Sequence, residues 1–369
     1  MVLNILLVSF IVIISIQIIY YLFIFGNFSF GKIKNGSSQR FPVSVIVCAK
    51  NEAENVKAYF PLLINQNYPE FEIVLIDDAS SDETLDLFEE YEKQYSNVKL
   101  VKVQNNETFW GNKKYALTLG IKVAKYKHLL FIDADCKPAS TEWISNMSMN
   151  FTPKKTIVLG YGAYNKVKGS FLNKIIRFET LMTAVQYFSW AKMGAPYMGV
   201  GRNLAYKSDE FYKVNGFIDH MKIRSGDDDL FINQASTKEN TTICIEPNSF
   251  TYSDAKTTFS DWFNQKRRHI STAKYYKAFD QFQLGLFYST QLFTLILGIL
   301  LLAFNHQLII VAALLGSRYI IAWISLGFSA SKLKERDIMY FYPFIEIILI
   351  FTQLYLFILN LFSKPKHWK

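Results

Sequence analysis

Acidic side chains follow short apolar runs at three places in the first half of the sequence. They are Glu52 after the run 43–48, Asp77 and Asp78 after the run 72–76, and Asp133 and Asp135 after the run 128–132. The Asp-x-Asp pair at 133–135 suits Mg²⁺ or Mn²⁺, because these hard cations take carboxylate oxygens and keep positions open for diphosphate oxygens. A cation held there would neutralise a leaving diphosphate. The pair alone is a weak signal, but its place in a series of acidic run ends makes a metal site the favoured interpretation.

A second acidic cluster, Asp227-Asp228-Asp229, follows Gly226. Three adjacent carboxylates repel one another, and this repulsion raises the pKa of at least one of them. A carboxylate with a raised pKa suits a general base, which must accept a proton from a hydroxyl group. A solvated acidic start of a helix, with one aspartate as its cap, is the alternative interpretation.

The elements that would position these residues alternate between strands and helices. The apolar runs predict strands at 43–48, 72–76, 98–103 and 128–132. The intervening patterns predict helices that end near Asn65 and Tyr95, and a third helix over 111–126. This alternation indicates an α/β domain with a parallel sheet, in which ligands bind outside the carboxyl ends of the strands. The stretch contains neither GxGxxG nor a Walker motif, which disfavours a dinucleotide dehydrogenase or a P-loop NTPase.

The motifs of this region resemble those of glycosyltransferase family 2. They are PVSVIVCAKNE at 42–52, DDASSDET at 77–84, Lys113 before Ala116-Leu117, and FIDAD at 131–135. The combination is highly specific, and the resemblance covers roughly residues 41–270. It implies an inverting enzyme with the GT-A fold, a nucleotide-sugar-binding domain whose mostly parallel sheet is flanked by helices. The apolar segments on either side look like those of the membrane-bound members.

The resemblance also implies roles for individual residues. Contacts to the nucleotide-sugar would fall on Ala49, Asn51, Glu52, Asp78, Lys113 and Asp133, and the first four of these would bind the nucleotide base. Asp133 would contact the ribose or the metal, and Asp135 would ligate the metal. The acidic cluster resembles the catalytic-base motif of the family, and position points to Asp228. Asp227 and Asp229 stay open as alternatives, because the repeated aspartate leaves the register ambiguous by one residue.

A glycine-rich segment, GAPYMGVGRNLAY at 194–206, resembles the acceptor-side segment of such enzymes. Gly199 and Gly201 would allow a close approach of the backbone, and a plain turn is the alternative.

A basic run lies before the C-terminal apolar segments. It resembles the Gln-x-x-Arg-Trp motif of processive polysaccharide synthases, with Gln265 and Arg268 matching and His269 in place of the tryptophan. The resemblance implies leaving-group or acceptor contacts for Gln265 and Arg268, since arginine can hold a diphosphate in a bidentate manner. A positive collar at a membrane surface is the alternative. The missing tryptophan disfavours processive synthesis but not sugar transfer itself.

The composition adds a membrane region to this picture. Of the 369 residues, 50% are hydrophobic and 19% are charged, against about 25% charged residues in a typical soluble domain. These values exclude disorder as the main state, and three cysteines exclude a disulfide scaffold. Long apolar runs predict an N-terminal transmembrane helix within 1–26 and a C-terminal membrane region over 284–362, with about three helices. A signal peptide is the competing interpretation of the first run. The glycosyltransferase domain would occupy 41–270 between them.

The net charge of +9 is explained by the same membrane region. The lysines are dispersed and no nucleic-acid motif is present, so no nucleic-acid partner is expected. Basic residues flank the spans on the side of the central domain, which predicts a multi-pass protein of the cell (inner) membrane with a cytoplasmic catalytic domain. Four full crossings would leave the basic C-terminal tail outside, and a re-entrant segment at 284–304 is one explanation. Arg318 and Glu346 are predicted to lie at equal depth, where they would form either a locking ion pair or a guide for a lipid or sugar chain.

The predicted function is that of a membrane-anchored, metal-dependent inverting glycosyltransferase. It would move a sugar from a nucleotide-diphosphate sugar to a hydroxyl group of a lipid-linked or membrane-proximal glycan. A processive polysaccharide synthase is the alternative within the class. A non-catalytic membrane scaffold that retains the sugar-nucleotide fold is the alternative from another class.

Overall fold

The computed structural model describes residues 1–32, 39–104, 113–223 and 225–362. The chain divides into two compact units. The sheet unit contains the described residues between 39 and 169 together with Gly194–Thr258. The helical unit contains Met1–Lys32, Ser170–Met193 and the described residues from Phe259 onward.

Between residues 43 and 133, helices and strands follow one another in the order that the apolar runs predict. The helices are α1 (Val2–Ile19), α2 (Phe25–Ser29), α3 (Ala53–Ile64), α4 (Thr84–Gln94), α5 (Lys113–Val123), α6 (Trp143–Ser148), α7 (Phe171–Met193), α8 (Ser208–Lys213), α9 (Asp229–Ala235), α10 (Phe259–Ile270), α11 (Ala278–Ala303), α12 (Leu308–Lys332) and α13 (Tyr342–Phe362). The strands are β1 (Val43–Ala49), β2 (Phe71–Asp77), β3 (Val98–Lys102), β4 (His128–Asp133), β5 (Cys136–Pro138), β6 (Ile157–Leu159), β7 (Gly162–Tyr164), β8 (Leu204–Lys207), β9 (Thr241–Ile243) and β10 (Thr251–Ser253).

The sheet unit is built on a mixed sheet. Within the described residues its strand order is β3-β2-β1-β4-β8-β6-β9, and a smaller sheet has the order β5-β10-β7. Strands β3, β2, β1 and β4 are mutually parallel, while β8 runs antiparallel to β4 and β6. The central strands are almost wholly buried and rich in Val, Ile and Leu, as expected for parallel strands covered on both faces. The predicted α/β class is confirmed.

The helical unit contains the apolar helices. Four described helical segments are long and apolar enough to cross a bilayer: Val2–Ser29, Ala278–Ala303, Leu308–Lys332 and Arg336–Phe362. One segment precedes the sheet unit in the chain and three follow it, as the sequence predicts. The segment suspected of being re-entrant forms one uninterrupted helix of 26 residues.

Helix α7 also belongs to the helical unit, although the sequence places it inside the predicted domain at 41–270. Phe188 on this helix stacks on Phe28 with ring centroids 5.3 Å apart. Arg177 on the same helix donates a 2.8 Å hydrogen bond to Asp337. These contacts explain why α7 groups with the apolar helices, and the domain limits stay a prediction.

Candidate active site

The strand register brings the predicted acidic residues to one edge of the sheet. Ala49 at the end of β1 pairs with Asp77 of β2, and Cys48 pairs with Asp133 of β4. The backbone N–H of Asp78 donates a 2.9 Å hydrogen bond to the carbonyl of Ala49. Because the carboxyl ends of parallel strands share an edge, the acidic side chains that follow β1, β2 and β4 become neighbours.

A cavity opens at this edge of the sheet unit. Its lining includes Cys48, Lys113, Asp133, Gly201, Asp227 and Asp228. The structure thus brings a strand-end aspartate together with the distant acidic cluster, although more than 90 residues separate them in the chain.

The segment predicted to bind the nucleotide base is held by a neighbouring loop. Asn51 has a positive φ of 56°, and its Oδ1 accepts a 2.7 Å hydrogen bond from the backbone N–H of Ser81. The backbone N–H of Glu52 donates to Oγ1 of Thr84 at 2.9 Å, and its carboxylate accepts from Asn55 at 2.6 Å. These contacts fix the backbone that carries Asn51 and Glu52, and their contact with a base stays a prediction.

Asp78, predicted to bind the same base, is buried beside β1. Burial raises the pKa of Asp78, the positive charges of Lys50 and Lys113 oppose that rise, and the charge of Asp77 adds to it.

Lys113 joins two of the acidic groups. Its Nζ lies 2.6 Å from Oδ1 of Asp133 and 3.3 Å from Oδ2 of Asp227. Burial would lower the pKa of Lys113, but the two carboxylates outweigh burial and hold that pKa well above its usual value. At Asp227 burial favours a higher pKa, and the nearby Lys113 charge reverses the effect and lowers it. Lys113 and Asp227 are therefore both charged at neutral pH.

The Asp-x-Asp pair offers a compact set of oxygen ligands. Among the described residues, Asp133, Asp135 and Cys136 bring possible ligand atoms within 4.8 Å of one another. Burial raises the pKa of the Cys136 thiol well above its usual value. The neutral thiol donates a 3.4 Å hydrogen bond to Oδ1 of Asp135 instead of offering a thiolate. Two carboxylates beside a neutral thiol fit a hard cation such as Mg²⁺ or Mn²⁺ better than a soft one.

The two carboxylates of the Asp-x-Asp pair lie in different electrostatic environments. Asp133 already shares one oxygen with Lys113, at 2.6 Å. Asp135 keeps exposed surface, but protein atoms crowd its carboxyl group, and this burial and the charge of Asp133 raise its pKa. A cation bound between the two carboxylates would relieve their mutual repulsion, which supports the predicted metal ligands.

The three aspartates of the acidic cluster lie in three different environments. Asp227 pairs with Lys113, while Asp229 is the first residue of helix α9. Asp228 caps that helix: its Oδ1 accepts from the N–H of Asp229 at 2.7 Å, and its Oδ2 accepts from the N–H of Gly201 at 2.6 Å. Burial and the charges of the two flanking aspartates raise the pKa of Asp228 from 3.8 to about 7. Asp228 is thus at once a helix cap and a carboxyl group with a raised pKa, and its role as a general base stays a prediction.

Gly201 makes the contact to Asp228 possible. A Cβ atom at position 201 would lie 3.3 Å from Oδ2 of Asp228. The sequence predicts a close approach to the backbone at Gly201, and in the structure the group that approaches is the carboxylate of Asp228.

Arg202 lies near the Asp-x-Asp pair, a placement that the sequence does not predict. Its guanidinium lies 4.4 Å from the ring centroid of Tyr164 and donates a 2.9 Å hydrogen bond to Ser253 Oγ. Ser253 pairs with Cys136 in the smaller sheet, so the guanidinium lies near the Asp-x-Asp pair. Burial would lower the pKa of Arg202, but surrounding groups that include Asp135 and Asp133 raise it instead. Nothing in the sequence around Arg202 indicates that its guanidinium lies near these aspartates.

Gln265 and Arg268 lie on helix α10, which belongs to the helical unit. Their neighbour Arg267 donates a 3.0 Å hydrogen bond from Nε to Asn360 on helix α13. Their roles toward a leaving group or an acceptor stay predictions.

Comparisons with known proteins agree with this architecture. The chain superposes with a TM-score of 0.60 on the mannosyltransferase PcManGT from Pyrobaculum calidifontis, solved with GDP-Man and Mn²⁺. The superposition covers 94% of this chain and 98% of that chain, at 16% sequence identity. The fold is therefore the GT-A fold.

The family follows from the sequence match. Residues 44–225 match the family model described as Glycosyl transferase family 2. The chain therefore carries a glycosyl transferase family 2 domain, as the motifs predict.

Curated relatives share part of this domain. The chain is 33% identical over 103 residues to the poly-beta-1,6-N-acetyl-D-glucosamine synthase of Staphylococcus epidermidis, over 28% of this chain and 24% of that protein. It is 25% identical over 236 residues to the probable glycosyltransferase YdaM of Bacillus subtilis, over 61% of this chain and 54% of that protein. The chain thus spans about a quarter of the first curated relative and about half of the second.

Proposed function

We propose that the protein is a membrane-anchored inverting glycosyltransferase. It transfers a sugar from a nucleotide-diphosphate sugar to a hydroxyl group of a lipid-linked or membrane-proximal glycan. The observation that carries this proposal is the joint presence, at one sheet edge, of the Asp133/Asp135 pair and of Asp228 with its raised pKa. A donor site and a base are the two parts that a single displacement requires.

The donor binds over the carboxyl ends of β1, β2 and β4. Asn51, Glu52 and Asp78 contact the nucleoside, and Asp133 and Asp135 hold Mg²⁺ or Mn²⁺. When bound, the ion supplies positive charge that stabilises the leaving diphosphate. Lys113 orients Asp133, since its Nζ lies 2.6 Å from that carboxylate.

Asp228 is the general base of this proposal. Its pKa of about 7 lets a substantial fraction be ionised at neutral pH, and it still attracts a proton strongly. Asp228 takes the proton of the acceptor hydroxyl while the oxygen attacks the anomeric carbon, and the bond to the diphosphate breaks. The N–H of Gly201 donates a hydrogen bond to Oδ2 of Asp228, and this contact orients the base.

The acceptor and the cellular location follow from the helical unit. Four candidate spans and the distribution of lysine and arginine support a multi-pass protein of the cell membrane with the sheet unit in the cytoplasm. An acceptor anchored in or near the bilayer suits an enzyme with that anchorage.

A processive synthase is the second candidate. The likeness to a poly-N-acetylglucosamine synthase favours it, and His269 in place of the tryptophan disfavours it.

The test is a panel of nucleotide-sugars with purified protein in detergent, with and without Mn²⁺, scored for nucleotide release. We expect release with one donor to require a divalent ion and to fall by about 100-fold or more in Asp135→Ala. The exposed Asp209, changed to Ala, serves as the matched control. Release that is unchanged in EDTA and in Asp135→Ala would contradict the metal site, and the size of the labelled product separates single transfer from polymerisation.

A further inference from the structure

Lys114 is a buried lysine that the proposed mechanism does not use. It follows Lys113 directly at the start of helix α5 and is 1% exposed. Successive helical residues point about 100° apart, so the two ammonium groups reach different targets. Lys113 reaches the carboxylates of the cleft, whereas Lys114 reaches backbone.

The ammonium group of Lys114 donates hydrogen bonds to three backbone carbonyl groups. These belong to His220 at 2.9 Å, Ile223 at 2.9 Å and Ser225 at 2.8 Å. An ammonium group is a donor only, and each of these carbonyl oxygens accepts from it. All three come from the few residues immediately before the acidic cluster.

Burying this charge is unfavourable for the fold. Burial lowers the pKa of Lys114 to about 8, although the three aspartates of the acidic cluster act in the opposite direction. Carbonyl groups only partly replace the hydration of an ammonium ion, and an apolar side chain would avoid the penalty. A buried lysine at this position therefore indicates a requirement for the backbone geometry that it holds.

That geometry sets the position of Asp228. Ser225 lies three residues before Asp228, and Gly226 between them has a positive φ of 92°. On the far side, Asp228 is held by the N–H of Gly201 at 2.6 Å. We propose that Lys114 is a positioning residue for the base: it fixes the chain ahead of the acidic cluster so that the Asp228 carboxylate meets Gly201. This inference rests on the proposed function for its effect on the reaction rate.

The first arm of the test needs no activity. Hydrogen exchange of the Ile223 and Asp229 amides is measured in the full chain in detergent for wild type, Lys114→Met and Lys122→Met. Lys122 is an exposed lysine of the same helix and is the matched control. We expect exchange at these amides to become about tenfold faster or more in Lys114→Met alone. Unchanged protection in Lys114→Met would overturn the inference.

The second arm uses the donor that the release assay identifies. Because a misplaced base affects the chemical step, we expect kcat to fall by about tenfold or more in Lys114→Met, with the KM for the donor nearly unchanged. The acidic limb of the pH profile should also move to higher pH, since removing this cation leaves Asp227, Asp228 and Asp229 less stabilised in their charged forms. Lys113 and His220 also lie near the acidic cluster, and both are unchanged in this variant.

Two outcomes separate positioning from mere stability. A wild-type kcat and pH profile in folded Lys114→Met would overturn the inference, because a purely structural role only lowers the amount of folded enzyme. If Lys114→Met does not fold, Lys114→Gln is used instead, since it retains two N–H donors. It must show smaller changes of the same sign in amide exchange, kcat and the pH profile, and their absence would overturn the inference. If wild-type protein releases no nucleotide from any donor, the proposed function fails, while the exchange result still decides whether Lys114 holds this segment.

Discussion

At the scale of single residues, three neighbouring aspartates differ because of what each one contacts. Asp227 faces the ammonium group of Lys113, which lowers its pKa despite burial. Burial and the charges of Asp227 and Asp229 raise the pKa of Asp228 to about 7, although its carboxylate accepts hydrogen bonds from the backbone N–H groups of Gly201 and Asp229. Asp227 is thus charged at neutral pH, and its neighbour Asp228 can exchange a proton near neutral pH. This difference is why the proposed function assigns the base to Asp228.

The pKa of Asp228 predicts a pH dependence. If ionised Asp228 is the base, kcat/KM should rise with pH and level off above about pH 7. Asp228→Asn should remove this limb and lower kcat by about 10²–10⁴-fold, the usual contribution of a general base. The measurement is nucleotide release between pH 5 and pH 9, with Asp209→Asn as control. Full turnover in Asp228→Asn would refute the assignment.

The raised pKa of Asp228 also makes the folded state less stable at higher pH. The folded state binds the Asp228 proton more tightly than the unfolded chain, because the folded pKa of about 7 exceeds the ordinary 3.8. The resulting stabilisation is present at low pH and is lost as the pH rises towards 7. Activity and stability therefore respond to this group with opposite signs.

At the scale of elements, the turn that leads into β8 holds the carboxylate of Asp228. Gly201 lies just before this strand and donates its N–H to Asp228 at 2.6 Å. The antiparallel pairing of β8 with β4 fixes the strand, with Leu204 opposite Phe131. The carboxylate that caps helix α9 is therefore oriented by the turn before a strand of the main sheet.

Substituting Gly201 tests this contact. In Gly201→Ala the new Cβ would lie 3.3 Å from Oδ2 of Asp228, so the carboxylate must move by a few tenths of an ångström. We expect kcat to fall by about tenfold while binding of the nucleotide diphosphate, measured by calorimetry, stays within about twofold. Gly285→Ala is the control, since in the described part of the chain no atom beyond the neighbouring residues and the backbone of its own helix lies within 4 Å of the added Cβ. Unaltered kcat in Gly201→Ala would show that this contact does not set the base.

At the scale of the whole molecule, the two units have different kinds of core. The sheet unit is built around buried strands and opens into an acidic cavity. The helical unit holds a charged pair among apolar helices: Arg318 on α12 and Glu346 on α13 share two hydrogen bonds of 2.6 Å. Gln17 on α1 accepts from Arg318, and Gln291 on α11 donates to Glu346. One polar cluster therefore links all four candidate spans.

Breaking this pair should destabilise the helical unit. Glu346→Ala leaves the buried Arg318 charge without its carboxylate, which costs about 3–5 kcal/mol. We expect a lower midpoint of thermal unfolding in detergent for Glu346→Ala and recovery of most of the loss in the double variant Arg318→Met, Glu346→Leu. A double variant as unstable as the single one would show that the pair does more than neutralise charge.

Local sequence patterns already predict the elements between residues 43 and 133 and the placement of the strand-end acids. Apolar runs such as 43–48 and 128–132 became buried strands, because local hydrophobicity and β-branched residues favour that state. Parallel strands share an edge, so the acids that follow them had to meet. The apolar segments and the Arg318–Glu346 pair were also foreseeable, since equal depth in two adjacent helices permits contact.

The raised pKa falls on Asp228 because of tertiary contacts. Lys113 lies far from the acidic cluster in the chain, reaches Asp227 through the packing of α5 and lowers the pKa of that aspartate despite burial. At Asp228 burial and the two flanking charges raise the pKa, and the N–H of Gly201 in the turn before β8 holds the carboxylate in place. The grouping of α7 with the apolar helices and the three carbonyl contacts of Lys114 are decided in the same way. A pKa reflects all charges and all burial within a few ångströms, and the order of residues in a sequence does not state which ones come that close.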